Sequence, residues 1–72
     1  MAPALGPVAY RRIAKLLREH GFERIRQRGS HVFFRHDDGR TIVVPNHGGR
    51  DIPPGLLRKI LADAKLDPDL LR

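Results

Sequence analysis

Residues 24–36, RIRQRGSHVFFRH, place a histidine directly after a glycine–serine pair, with arginines on both sides. The pair Gly29-Ser30 predicts a tight turn, because glycine adopts backbone conformations that other residues resist. Such a turn, at the start of a stiff strand, would hold the imidazole of His31 at a defined point. An imidazole held in this way could act as a general base at cellular pH.

The neighbouring arginines predict a binding site for phosphate. Guanidinium groups bind phosphate through paired hydrogen bonds and stabilise the charge that builds on it during reaction. The arginines in question are Arg24, Arg26 and Arg28 in one predicted strand and Arg35 in the next. A general base beside such a group of cations is what cleavage of RNA through its own 2′-hydroxyl requires, and that reaction needs no metal.

The other candidate residues give weaker indications of a catalytic or metal-binding role. His20 is expected at the end of the first helix, where a cation interacts well with the helix carbonyls. Ser30 is adjacent to His31, and adjacent strand residues point to opposite faces, so the two are poorly placed as nucleophile and base. The residues that could form a metal cluster are His31, His36, Asp37, Asp38 and His47. Their spacing matches no recognised ligand pattern, so we expect no metal and no other cofactor.

Composition limits the class of protein. The chain has 72 residues, which is enough for one small domain, and it has no cysteine, which excludes disulfides, zinc–thiolate sites and thiol chemistry. No segment resembles a signal peptide or approaches the ~20 apolar residues of a membrane span, so a cytoplasmic location is expected. Fourteen basic and eight acidic residues give a net charge of +6, which favours a nucleic-acid partner.

The periodicity of apolar residues predicts the order α-β-β-β-α. A helix is expected from Pro7 to Gly21, followed by strands over 22–28, 31–35 and 41–45, a glycine-rich loop over 46–52 and a second helix from Pro53. The buried stripe of that helix is expected at Leu56, Leu57, Ile60, Leu61 and Ala64. Residues 1–7 are expected to form a loose N-terminal tail, and residues 67–72 a short C-terminal tail.

These elements favour an α+β domain with a three-stranded antiparallel sheet and both helices on one face. Alternation along the first strand predicts that Arg24, Arg26 and Arg28 share a face, with Glu23, Ile25 and Gln27 on the other. In the third strand, Ile42 and Val44 are the expected inward pair. The facing of the second strand is ambiguous, because Val32, Phe33 and Phe34 are consecutive.

Two blocks of the chain resemble the HicA family, the toxins of HicA–HicB toxin–antitoxin pairs. The first is GFERIRQRGSHVFFRH, with Gly-Ser-His before an aromatic strand. The second is DGRTIVVPNHGGRDIPPGLLRKILADAKL, with Val-Pro, one residue, a histidine and then a glycine-bearing helix start. The resemblance covers about residues 10–66. It implies a fold like the double-stranded RNA-binding domain.

The resemblance also implies an activity and a partner. Members are endoribonucleases that cleave mRNA and are neutralised by a HicB-like antitoxin. The family's catalytic histidine corresponds to His31, preceded by Gly29 and Ser30, and His47 corresponds to a supporting histidine. The toxin would be a monomer alone and part of a hetero-oligomer with its antitoxin. Two alternatives are a non-catalytic RNA-binding module of the same fold and a structural role on a ribonucleoprotein.

Overall fold

Two helices cover one face of a three-stranded antiparallel sheet in the computed structural model, which describes residues 6–71. The elements in chain order are β1 (Val8–Ala9), α1 (Tyr10–Glu19), β2 (Phe22–Arg28), β3 (His31–His36), β4 (Thr41–Pro45), β5 (Asp51–Ile52), α2 (Pro54–Ala64) and a 3₁₀-helix (Pro68–Leu71). The sheet order is β2-β3-β4. The α+β class, the two helices and the three-stranded sheet are therefore confirmed, and they agree with a fold like the double-stranded RNA-binding domain.

The hydrophobic core lies between the helices and the sheet. Strands β3 and β4 contribute Val32, Phe34, Ile42 and Val44, each 2% exposed or less. This confirms the inward pair of β4 and resolves the facing of β3, in which Phe33 belongs to the open face. The helices contribute Ile13, Ala14, Leu16 and Leu17 from α1 and Leu57, Ile60, Leu61 and Ala64 from α2. Leu56 is half-buried at the edge of this core.

The start of the first helix differs from the prediction. Helix α1 begins at Tyr10, because Val8–Ala9 instead forms β1 and pairs antiparallel with β5, with Val8 opposite Ile52. The segment expected to be all loop, residues 46–52, therefore contains a short strand. Both Val8 and Ile52 are buried, so the pairing lets two isolated apolar residues join the core. A contact across more than forty residues leaves no local periodic signal.

The prediction that three arginines share one face of β2 is wrong. Arg24 lies opposite Phe34, Arg26 opposite Phe33 and Arg28 opposite His31, with a register shift between Arg24 and Arg26. The extra residue, Ile25, makes a β-bulge, which changes the face that the rest of the strand presents. Arg24 thus falls on the helix-covered side of the sheet, and Arg26 and Arg28 fall on the open side.

The C-terminal segment packs against the first helix. Leu71, in the 3₁₀-helix, is buried, and its carbonyl accepts a hydrogen bond from the Arg12 guanidinium. The predicted loose tail at residues 1–7 lies outside the described residues except for Gly6 and Pro7. In the described part of the chain, neither α-helix combines the length and the apolar character that a membrane crossing requires.

Candidate active site

His31 is the first residue of β3 and directly follows a two-residue hairpin turn. Gly29 takes a φ of 57°, the left-handed conformation that glycine adopts without strain. The Gln27 side-chain amide donates to the Gly29 carbonyl at 2.9 Å, and the backbone amide of Asn46 donates to the Ser30 carbonyl at 2.6 Å. The turn is therefore held by both neighbouring strands. The exposed His31 side chain is carried on a backbone with little freedom to move.

A half-open cleft of about 560 Å³ lies beside His31. Its lining residues are His31, Val43, Pro45, His47, Arg50, Asp51, Ile52, Pro53 and Leu56. Two imidazoles and one guanidinium therefore share a cleft whose walls are mostly apolar. Imidazoles can transfer protons and a guanidinium can bind a phosphate, so this group of side chains could carry out acid–base chemistry on a phosphate ester.

Arg50 is the residue of this cleft that sequence reasoning missed. The loop that carries it turns through Gly48 and Gly49, whose φ values are 55° and 83°, and the Arg50 amide donates to the His47 carbonyl at 2.9 Å. The pairing of β5 with β1 then anchors the next residue, Asp51, opposite Ala9. The available signal was an arginine three residues after a histidine in a glycine-rich loop.

A second, more polar hollow of about 720 Å³ adjoins the cleft. It is lined by Gly29, Ser30, Asn46, His47, Gly48 and Arg50. His47 and Arg50 line both spaces, and therefore lie between the apolar cleft and the turn that precedes His31. The structure thus brings together Gly29, Ser30, His31 and His47, the four residues singled out around the predicted base.

Only some of the predicted phosphate-binding arginines lie near His31. Arg28 is its direct cross-strand neighbour on the open face. Arg26 lies on the same face, with its guanidinium carbon 4.6 Å from the centroid of the Phe33 ring. Arg35 pairs with Glu23 toward the far end of the sheet. Arg24 donates to the Gln27 side chain at 2.7 Å on the helix-covered side, so it is separated from the other three.

The remaining histidines of the described chain lie away from the cleft. His36 is at the opposite end of β3, five residues or ~17 Å from His31 along an extended strand. Its Nδ1 accepts the Asp38 backbone amide at 3.1 Å, and its ring meets the edge of Phe22 at 5.1 Å between centroids. His20 Nδ1 lies 2.9 Å from the Leu16 carbonyl in the last turn of α1.

Asp38 forms part of the same hairpin as His36. The Arg40 side chain and backbone amide donate hydrogen bonds to the Asp38 carboxylate, which hold its pKa below the ordinary value of 3.8. The possible metal ligands at 36–38 are thus separated from His31 and His47 by the length of the sheet. Among residues 6–71, no three His, Asp or Glu side chains converge as a metal site would require.

A comparison with protein families matches most of the chain to a single family model. A family model described as the HicA toxin of bacterial toxin-antitoxin matches residues 10–66. The match begins with α1 and ends just after α2, so it contains the whole sheet and every residue that lines the cleft. No curated protein matches the chain.

Proposed function

Because the chain belongs to the HicA toxin family of bacterial toxin–antitoxin pairs, we propose that it is a metal-independent endoribonuclease that cleaves mRNA with His31 as the general base. The observation that carries this proposal is the cleft that His31, His47 and Arg50 line together, beside a turn held by two strands. General acid–base catalysis depends first on geometry, and the position of His31 at the start of a strand, behind a hydrogen-bonded turn, supports this role.

The proposed reaction uses the 2′-hydroxyl of the substrate as nucleophile. His31 removes the proton from that hydroxyl, the 2′-oxygen attacks the adjacent phosphorus, and the bond from phosphorus to the 5′-oxygen breaks. The leaving 5′-oxygen takes a proton from His47 or from water, so the products are a 2′,3′-cyclic phosphate and a free 5′-hydroxyl. Arg50 and Arg28 stabilise the extra negative charge on the phosphate oxygens as the new bond forms.

His31→Ala tests the catalytic assignment. Loss of a general base lowers the rate by about 10²–10⁴-fold, and the thermal melt should stay within a few degrees because the side chain is exposed. Cleavage of a labelled mRNA is the readout. His20→Ala is the matched control, since it removes a histidine outside the cleft and should leave cleavage unchanged. Cleavage by folded His31→Ala at the wild-type rate would contradict the assignment.

The end groups of the products test the chemistry. Mass spectrometry should find 2′,3′-cyclic or 3′-phosphate ends with 5′-hydroxyl partners, DNA should not be cut, and chelators should not inhibit. Products with a 5′-phosphate, or activity lost in chelator and restored by a divalent metal, would make His31 a metal ligand instead. Binding of RNA with no cut product at all would favour the alternative of a non-catalytic RNA-binding module.

Arg50→Gln tests the contribution of the residue found through the structure. If Arg50 stabilises the transition state more than the bound substrate, kcat should fall by ~10²-fold while KM changes little. Arg58→Gln is the matched control, because it removes the same charge from the exposed side of α2. An increase in KM with kcat unchanged in Arg50→Gln would limit the role of Arg50 to substrate binding.

The proposed partner is a HicB-like antitoxin that covers the cleft. A toxin with an exposed active histidine must be blocked in the cell, and an acidic or neutral antitoxin surface would complement Arg26, Arg28 and Arg50. The association rate should then fall as salt concentration rises. In the complex, His31 should be inaccessible to solvent. A structure of the complex with His31 open would indicate inhibition at a distance.

A further inference from the structure

The open face of the sheet carries an apolar pair that the proposed mechanism does not use. Phe33 and Val43 lie directly opposite one another on β3 and β4, on the face that no helix covers. Val43 is 40% exposed and Phe33 is half-buried, whereas their neighbours Val32, Phe34 and Val44 are fully buried. An aromatic ring left at the surface beside the proposed catalytic residue suggests a ligand that packs against it.

Arg26 is positioned over this ring. The bulge at Ile25 brings Arg26 to the open face opposite Phe33, and its guanidinium carbon lies 4.6 Å from the ring centroid. This contact favours one orientation of an otherwise flexible side chain through cation–π attraction. Nucleobases stack on guanidinium planes as well as on aromatic rings, so the Arg26 guanidinium with the Phe33 ring behind it offers a base one composite stacking surface.

The distance to the candidate base matches an adjacent nucleotide. His31 and Phe33 lie on the same face of β3, two residues or ~7 Å apart. A phosphate bound between His31 and Arg28 would therefore place a flanking base close to Phe33. We propose that Arg26 and Phe33 form a stacking platform for the nucleobase next to the scissile phosphate of single-stranded RNA, which rests on the proposed function for the identity of the ligand.

The charges around the platform favour a nucleic acid over a protein partner. Arg26, Arg28 and Arg35 all project from the open face around Phe33, and the chain as a whole carries a net charge of +6. A single aromatic surface among cations suits a base flanked by phosphates, because each base buries its apolar face while its phosphates meet the arginines. The apolar pair is small, which suits one base better than a protein interface.

The test compares RNA with and without bases. Fluorescence anisotropy would measure binding of the full chain to a 2′-O-methyl oligoadenylate and to a 2′-O-methyl abasic oligomer of equal length, neither of which can be cut through its 2′-position. Phe33→Leu should weaken binding to the oligoadenylate by about fivefold or more and leave binding to the abasic oligomer unchanged. Phe33→Tyr should bind like the wild type, because it keeps the ring.

Two further variants separate stacking from charge and from general surface effects. Arg26→Lys keeps the charge and removes the planar group, so it should weaken binding to the oligoadenylate more than to the abasic oligomer. Leu70→Ala removes another exposed apolar side chain, 45% accessible and in the 3₁₀-helix, and should change neither affinity. Thermal melts check that each variant is folded.

The results distinguish this proposal from the catalytic one. Equal weakening of both oligomers by Phe33→Leu, no weakening of either, or no binding of either by the wild type would overturn the platform. Because neither oligomer is cut, base-dependent binding that needs Phe33 would support the platform even in a protein that cleaves no RNA. Active cleavage with unchanged Phe33→Leu binding would refute the platform alone.

Discussion

At the residue scale, Gly21 shows how a single position joins α1 to the far end of the sheet. Its φ is 88°, and a Cβ built on it would lie 2.7 Å from Nε2 of His36. The His36 ring has little freedom to move away, because it contacts the edge of Phe22 and accepts the Asp38 amide. Gly21 therefore combines a left-handed backbone with a close approach to a side chain held in place.

Gly21→Ala should destabilise the fold more than Gly39→Ala. Both glycines have a similar positive φ, 88° and 96°, which costs an alanine about 1–2 kcal/mol, but only Gly21 has an atom within 4 Å of the added Cβ. The clash adds about 1–3 kcal/mol. Urea unfolding measures the free energy of unfolding of both variants. In a His36→Ala background the two substitutions should destabilise the fold by similar amounts. A persistent difference would mean that the contact with His36 is not the cause of the extra destabilisation.

At the scale of elements, the β3–β4 hairpin is closed by one ionised side chain. Asp38 Oδ2 accepts Arg40 Nε at 2.8 Å, and the Arg40 guanidinium lies 5.0 Å from the Phe22 ring centroid and donates to the Ala64 carbonyl. The arginine thus connects the hairpin turn to the core and to the C-terminal end of α2. The Asp38 carboxylate orients that arginine from the solvent side.

Asp38 should make the stability of this hairpin depend on pH in the acidic range. Hydrogen bonds from Arg40 lower the pKa of Asp38 in the folded state, so the carboxylate stabilises the fold above pH 3.8 and loses this effect as pH falls through the lower folded value. The urea midpoint of Asp38→Asn should therefore lie below that of the wild type at pH 6 and approach it near pH 2. Asp37→Asn, a change at the neighbouring exposed carboxylate, is the control. A constant difference between pH 6 and pH 2 would contradict the linkage.

At the scale of the whole molecule, the arginines of the sheet are divided between its two faces. The open face of the sheet presents Arg26, Arg28 and Arg35, whereas Arg24 lies on the helix-covered side and bonds to Gln27. A net charge of +6 attracts any polyanion, but only arginines on the bound face release counterions on contact.

Salt dependence should identify the face that binds RNA. Arg28→Gln should reduce the slope of log K against log salt by ~0.7 on single-stranded RNA, which corresponds to one lost phosphate contact. Arg24→Gln should leave that slope nearly unchanged, because its side chain lies on the other side of the sheet. Arg58→Gln on α2 is the control for total charge. An equal decrease in this slope for all three variants would mean that RNA does not bind the open face.

Much of this architecture follows from the sequence itself. Local periodicity indicated both helices, the three strands and the inward pair Ile42 and Val44, since side-chain alternation and helical spacing are properties of neighbouring residues. The order Gly29, Ser30, His31 likewise marked a turn that leads into a strand. The family could also be inferred from these motifs, and the match over residues 10–66 confirms it.

Only the tertiary structure decided which groups share a site. The bulge at Ile25 put Arg26 and Arg28 on the face opposite to Arg24, because one extra residue in a strand of period two moves later side chains to the other face. The pairing of Val8 with Ile52 holds the end of the loop whose Arg50 lines the same cleft as His31, through a contact between segments more than forty residues apart. Chemistry-bearing residue types can be recognised along the chain, but their convergence depends on long-range packing.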